Sequence, residues 1–137
     1  MESIRDAFEG KSNFYCEKGV SAEDIKKAEA IIEMPFADDY KEYLSLFGAV
    51  SCSGHELTGF SEDRSLDVVK VTIENRKKNP SITDPLYVVE ETHMDGIVIW
   101  QSSSGEVFQA GYKESPHKIH ESLVDYIASF EAESQAD

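Results

Sequence analysis

A proline constrains this chain most. Pro35 stands between two segments that both repeat their apolar residues at helical spacing: Ile25, Ala28, Ile31 and Ile32 before it, Tyr40, Tyr43, Leu44 and Phe47 after it. A residue ahead of a proline is pushed out of the α region, so the two segments cannot continue as one helix. A helical hairpin is predicted between Ser21 and Gly48. At its start, the Ser21 hydroxyl can accept from the backbone N–H of Asp24, Asp24 occupies the reciprocal place of a capping box, and Val20 can staple onto Ile25. Asp38 and Asp39 suit the positive end of the second helix, and Gly48 is placed for a left-handed cap.

The period then changes. Residues 86–90, 97–100 and 107–112 read as three β runs, separated by the turn-like His93-Met94-Asp95-Gly96 and Ser102-Ser103-Ser104-Gly105. Together they predict an antiparallel meander. Leu123, Tyr126, Ile127 and Phe130 then mark the apolar face of a closing helix. Residues 66–78 stay open between two readings. The alternation of Val69, Val71 and Ile73 fits an edge strand, whereas Ser65 as a cap, the shared face of Leu66, Val69 and Ile73, and Arg76-Lys77-Lys78 at the end fit a helix. The sum is a single α+β domain over 1–137: an N-terminal helical hairpin, a central mainly antiparallel sheet and a packed C-terminal helix. Its core is expected at about 20–130, with a frayed tail at 131–137.

Charge narrows the partners. The 137 residues carry 27 acids against 13 lysines and arginines, a net charge of -14. That sign disfavours nucleic-acid phosphates and anionic membranes and favours a basic protein partner. The acidity is uneven: residues 81–137 hold 11 acids and 2 bases. No apolar run approaches the ~18 residues of a membrane helix, and the N-terminus has neither the basic nor the apolar part of a secretory signal, so the cytoplasm is expected. Cys16 and Cys52 lack a CxxC spacing and suit reduced thiols.

Motifs for catalysis are missing: no nucleophile elbow, P-loop, dinucleotide fingerprint or HExxH occurs, and the chain reads as a non-enzyme. A Cys52–His55 pair flanked by Ser51, Ser53 and Gly54 is conceivable, but the run reads as a strand leading into a turn. His117, His120 and Glu121, or His93 with Asp95, supply too few ligands for a structural zinc and read as surface or capping residues. No metal and no cofactor are expected. Trp100 is assigned to the core, while Phe108 and Tyr112 alternate with Gln109 and Gly111. Glu90, Glu91, Asp95, Glu106 and Glu114 gather at the ends of the meander, either as a solvated rim or as a functional acidic surface. For partner steering or contact the choices are Glu90, Glu91, Asp95 and Glu114, with Tyr112 as an aromatic anchor.

The order of these signals carries a resemblance. Ser21-x-x-Asp24-Ile25-x-x-Ala28-Glu29, then Met34-Pro35 with Tyr40-x-x-Tyr43-Leu44 and Gly48, then Glu56-Leu57-x-Gly59, resembles the SMI1/KNR4 family, also called the SUKH superfamily. Asp67-Val68-Val69 with Thr72 and Arg76, the strand pair ending at Gly105, and Ser122-Leu123 are similar too. Two positions depart from it: Met34 where leucine is common, and Gln101-Ser102 where many members place an aspartate. The resemblance implies an α+β fold with a central sheet and makes 66–78 a helix. For bacterial members it implies immunity proteins that neutralise the toxin domain of a polymorphic or contact-dependent toxin, often a nuclease. Eukaryotic members resemble scaffolding regulators of cell-wall synthesis. The expectation is an immunity protein, monomer or weak homodimer, that occludes a basic toxin domain; the alternative is an intracellular scaffold or regulatory interaction module without a toxin partner.

Overall fold

The computed structural model describes residues 3–111 and 113–131, so the expected aromatic anchor Tyr112 and most of the tail lie outside the described residues. Ser3 opens a short helix, α1 (Ile4–Phe8), through a capping box: its hydroxyl accepts from Asp6 N at 3.1 Å, and the Asp6 carboxylate accepts from Ser3 N. The chain then forms β1 (Tyr15–Cys16) and reaches the predicted hairpin. Helix α2 (Ala22–Ile32) is capped by Ser21, which accepts from Asp24 N at 3.2 Å, and it ends at Glu33 in the left-handed region. Glu29 bridges the proline turn by accepting from Phe36 N at 2.8 Å. Helix α3 (Asp38–Phe47) buries Tyr40, Tyr43 and Leu44.

Val50–Cys52 (β2) and His55–Glu56 (β3) form a tight antiparallel hairpin with β1 alongside β2. The segment left open by periodicity is a helix, α4 (Val68–Lys78), as the resemblance implied. Its cap is not Ser65, however. Asp67 accepts from Val69 N at 3.0 Å, while Ser65 sits in a preceding single turn, 64–66, where its own N–H donates to Asp63. The predicted meander follows as β4 (Tyr87–Glu91), β5 (Val98–Gln101) and β6 (Val107–Ala110). A fourth strand extends it: β7 (His117–His120) pairs antiparallel with β6. His117 and His120 are therefore strand residues. Helix α5 (Leu123–Ala128) closes the fold and carries the expected apolar face. The two sheets meet where Leu57 bridges to Glu90 and Thr58 N donates to Val89 O at 2.8 Å.

The four-stranded sheet is buried on both faces, which gives two cores. The larger gathers Tyr87, Val89, Ile99 and Val107 with residues of α1, α2, α3 and α5; the smaller gathers Val88, Trp100 and Val98 with Val71 of α4. Trp100 is a core residue, as expected, at 1% exposure. One irregularity in β4 decides which residue faces which core. Val88 lies opposite Trp100 and Glu90 opposite Ile99, so Val89 is an extra residue, a β-bulge. Opposed residues share a face. Regular alternation would put Glu90 beside Val88 and Trp100; the bulge turns it onto the Ile99 face and sends Glu91 to the α4 face with Val98.

Several buried polar groups are matched across elements. Tyr43 donates to Thr58 O at 2.7 Å and accepts from Val50 N at 3.0 Å, and Thr58 donates to Val88 O at 2.8 Å. Tyr87 accepts from Ala37 N and donates to Gln101 Oε1; Gln101 Nε2 donates to Asp39 Oδ1 at 3.1 Å and Gly105 O at 2.9 Å. Asp39 in turn accepts from Leu123 N at 2.8 Å, at the start of α5. Gln101, the departure from the family-like pattern, is thus the centre of a buried network tying α3, β4, β5 and α5 together. Backbones also meet closely: a Cβ on Gly59 would lie 2.0 Å from Gly48 O, and one on Gly48 2.1 Å from Lys18 O.

Candidate functional site

In an up-and-down meander, alternate turns emerge at the same end. The β4–β5 turn (92–97) and the β6–β7 turn (111–116) therefore share one end of the sheet, and the β5–β6 turn (102–106) lies at the other. This topology sorts the predicted acids. Glu91, Asp95 and Glu114 belong to the shared end. Glu106 belongs to the opposite end, where Lys118 Nζ pairs with it at 3.4 Å and with Glu121 at 2.8 Å.

Each of the three has a defined local setting. Asp95 is exposed at the tip of its turn with φ 55°, a conformation Asp tolerates better than most residues. Beside it, Met94 is 65% exposed. Glu114 is exposed and accepts from Gly111 N at 2.9 Å, fixing its turn. Glu91 is half-buried and accepts from Asn75 Nδ2 of α4 at 2.7 Å. Glu90 is different, and its expected role as an open steering charge is corrected by its burial at 4% exposure. The Val89 bulge turns it onto the Ile99 face, where Tyr126 OH donates to Oε1, His55 Nδ1 lies 3.0 Å from Oε1, and Glu56 N donates to Oε2 at 3.3 Å. Burial, and then the charge of Glu90, hold the Tyr126 phenol well above its ordinary pKa, so it stays a proton donor to the carboxylate. The His55 ring stacks on Phe130 with centroids 3.7 Å apart. Glu90 thus fastens the α5 end to β3 and β4 beneath the acidic turns.

The same geometry bears on nucleophilic chemistry. Cys52 is opposite His55 in the hairpin register, yet its thiol is buried at 3% exposure and burial pushes it up to about 11. The His55 nitrogen on the Glu90 side is engaged by that carboxylate. A thiol held protonated is a weak nucleophile at neutral pH. Among the described residues no group of three or more His, Cys, Asp or Glu is arranged to hold a metal ion, and no helix is long and apolar enough to cross a membrane.

Two features escaped the sequence reading. Ile31, grouped by periodicity with Ile25 and Ala28, is 58% exposed, because α2 turns it away from the core that takes Ile25, Ala28 and Ile32. The Glu90–His55–Tyr126 cluster also went unseen, since its members are 35 and 36 positions apart in sequence. The hint available was a carboxylate directly following Val88-Val89 in an otherwise apolar strand.

Comparison with known proteins completes the picture. The family model described as SMI1-KNR4 cell-wall, of the SUKH group, matches residues 1–130. No curated protein matches the chain.

Proposed function

This chain belongs to the SMI1-KNR4 family, and from that premise we propose that it is a non-catalytic immunity protein that binds and occludes the toxin domain of a polymorphic or contact-dependent toxin. The observation that carries the reading is the shared sheet end: Glu91 closes β4, Asp95 and Glu114 stand on the two turns at that end, and exposed Met94 beside Asp95 offers an apolar contact. A nuclease domain must hold phosphates, so its active cleft is basic and complementary to this end. Electrostatic steering brings such partners together at up to ~10⁸ to 10⁹ M⁻¹s⁻¹ at low salt, and apolar contact slows their separation. Glu90 acts from inside, holding the strand that bears Glu91. The protein partner, its basic character and the cytoplasmic setting are parts of this same proposal.

Co-expression is the direct test. A toxin encoded beside this gene should kill cells lacking this protein, spare cells containing it, and co-purify with it. In stopped-flow binding to that toxin domain, Asp95→Lys with Glu114→Lys should slow association roughly tenfold and flatten its salt dependence. A toxin that kills regardless, or unchanged on-rates, would refute the occlusion or the assigned surface respectively. The cell-wall wording of the family description favours a second reading, a regulatory scaffold. Recovery of a cell-wall synthesis regulator, with no toxin gene adjacent, would select it.

A further inference from the structure

A groove apart from the acidic sheet end shares no residue with it. It has a volume of about 570 Å³ and runs between α2 and the start of α4, closed by the loop after β3. Its floor is apolar: Ala28 and Ile31 from α2, Phe60 from the loop and Val69 from α4. Ile31 stands mostly in water there, and Phe60 and Val69 are half-buried. A large, water-facing apolar floor inside a polar rim is the form that partner-binding surfaces take.

The rim specifies the occupant. Glu17, Asp24, Glu62 and Asp67 face Lys18 and Lys27, an excess of carboxylates. Asp24 has Lys27 at 4.0 Å and Asp67 has Arg64 at 3.9 Å, both long contacts. Among the described residues no basic group pairs with Glu17 or Glu62; Glu17 accepts only from Ser61 Oγ at 3.0 Å. A ligand that covered the floor without bringing cations would leave these carboxylates partly desolvated and unpaired. An acidic ligand, or a second copy of this chain at net charge -14, meets repulsion instead.

We propose that this groove docks a basic amphipathic segment of a partner protein, one that lays apolar side chains on Ala28, Ile31, Phe60 and Val69 and sets lysines or arginines against Glu17 and Glu62. The proposal is independent of the toxin reading, because that reading uses the other end of the molecule.

The test uses the full chain, ¹⁵N-labelled, titrated with a synthetic peptide of alternating leucine and lysine pairs and, separately, with its glutamate counterpart. The lysine peptide should shift amide resonances of residues 17–18, 24–31 and 60–69, and the glutamate peptide should not. Ile31→Glu, on an exposed helix position, should weaken the lysine peptide about tenfold with an unchanged melting temperature. Glu17→Gln with Glu62→Gln should weaken it a few-fold and reduce its salt dependence. Shifts centred on 92–97 and 113–114, equal binding of the glutamate peptide, or an Ile31→Glu variant with wild-type affinity would overturn the groove and leave the toxin reading standing. Self-association of the wild type that Ile31→Glu abolishes would overturn it in favour of a second copy as occupant.

Discussion

Two buried polar clusters in this protein use similar chemistry for different ends. Around Gln101, an amide links Tyr87, Asp39 and Gly105 deep between α3, β5 and α5. Around Glu90, a carboxylate links Tyr126, His55 and Glu56 directly under the acidic turns, with the His55 side chain one-third exposed. The first cluster has a fully buried, neutral centre, and only Asp39 at its margin is half-buried. The second is charged and has an edge in water. The difference is one of access: the partly exposed His55 gives the Glu90 cluster a water-facing edge, whereas Gln101 itself is fully buried.

The largest break expected is at the Gln101 cluster. Gln101→Leu removes the acceptor for the Tyr87 phenol and the donor for Gly105 O, and each orphaned buried group costs about 1–3 kcal/mol. A loss of roughly 3 kcal/mol should appear as a melting temperature lowered by about 10 °C, measured calorimetrically. Next comes the open cluster. Glu90→Ala leaves Tyr126 OH and Glu56 N seeking acceptors that water can partly supply, for a loss of about 2 kcal/mol. Glu90→Gln keeps an acceptor for Tyr126 and should recover at least half of that in chemical denaturation. A Glu90→Ala loss equal to or larger than that of Gln101→Leu would erase the distinction between the clusters.

The smallest effect at neutral pH is one of titration. Burial raises the Cys52 thiol to about 11 and also raises the phenols of Tyr43, Tyr87 and Tyr126. A raised pKa in the folded state means that the native protein keeps protons the unfolded chain releases. The corresponding stability is complete below the ordinary thiol range and is lost as pH rises toward 11. The melting temperature should therefore hold steady from about pH 6 to 8 and fall above about pH 9, and Cys52→Ala should delay the onset of that fall. A fall beginning near pH 7 would break the attribution to Cys52 and the buried phenols.

Legibility in the sequence followed the length and regularity of each signal. The hairpin around Pro35, the three-strand meander and the α5 face repeat apolar residues over several turns or runs, and the structure contains them. Helix α1 has as good a cap signature at Ser3 and Asp6 as α2 has at Ser21, but five residues are too few to display a period. In β7, the run His117-Lys118-Ile119-His120 does not alternate apolar with polar, because an edge strand needs no apolar outer face and a bulge interrupts its pairing. Ser65 and Asp67 are both competent caps, and only the intervening turn decides between them. Asp95 and Glu114 are exposed on turns, as their turn-like surroundings in sequence indicated. Glu90 is buried because both faces of the sheet are covered, and the extra residue in β4, which no local pattern announces, decides which core it enters.

The contact of Gly48 and Gly59, backbone against backbone with no room for a methyl group, carries a consequence for substitution. A junction built without side chains has nothing to repack around an added group, so an alanine at Gly59 must push backbone against the Gly48 carbonyl and part the end of α3 from the loop after β3.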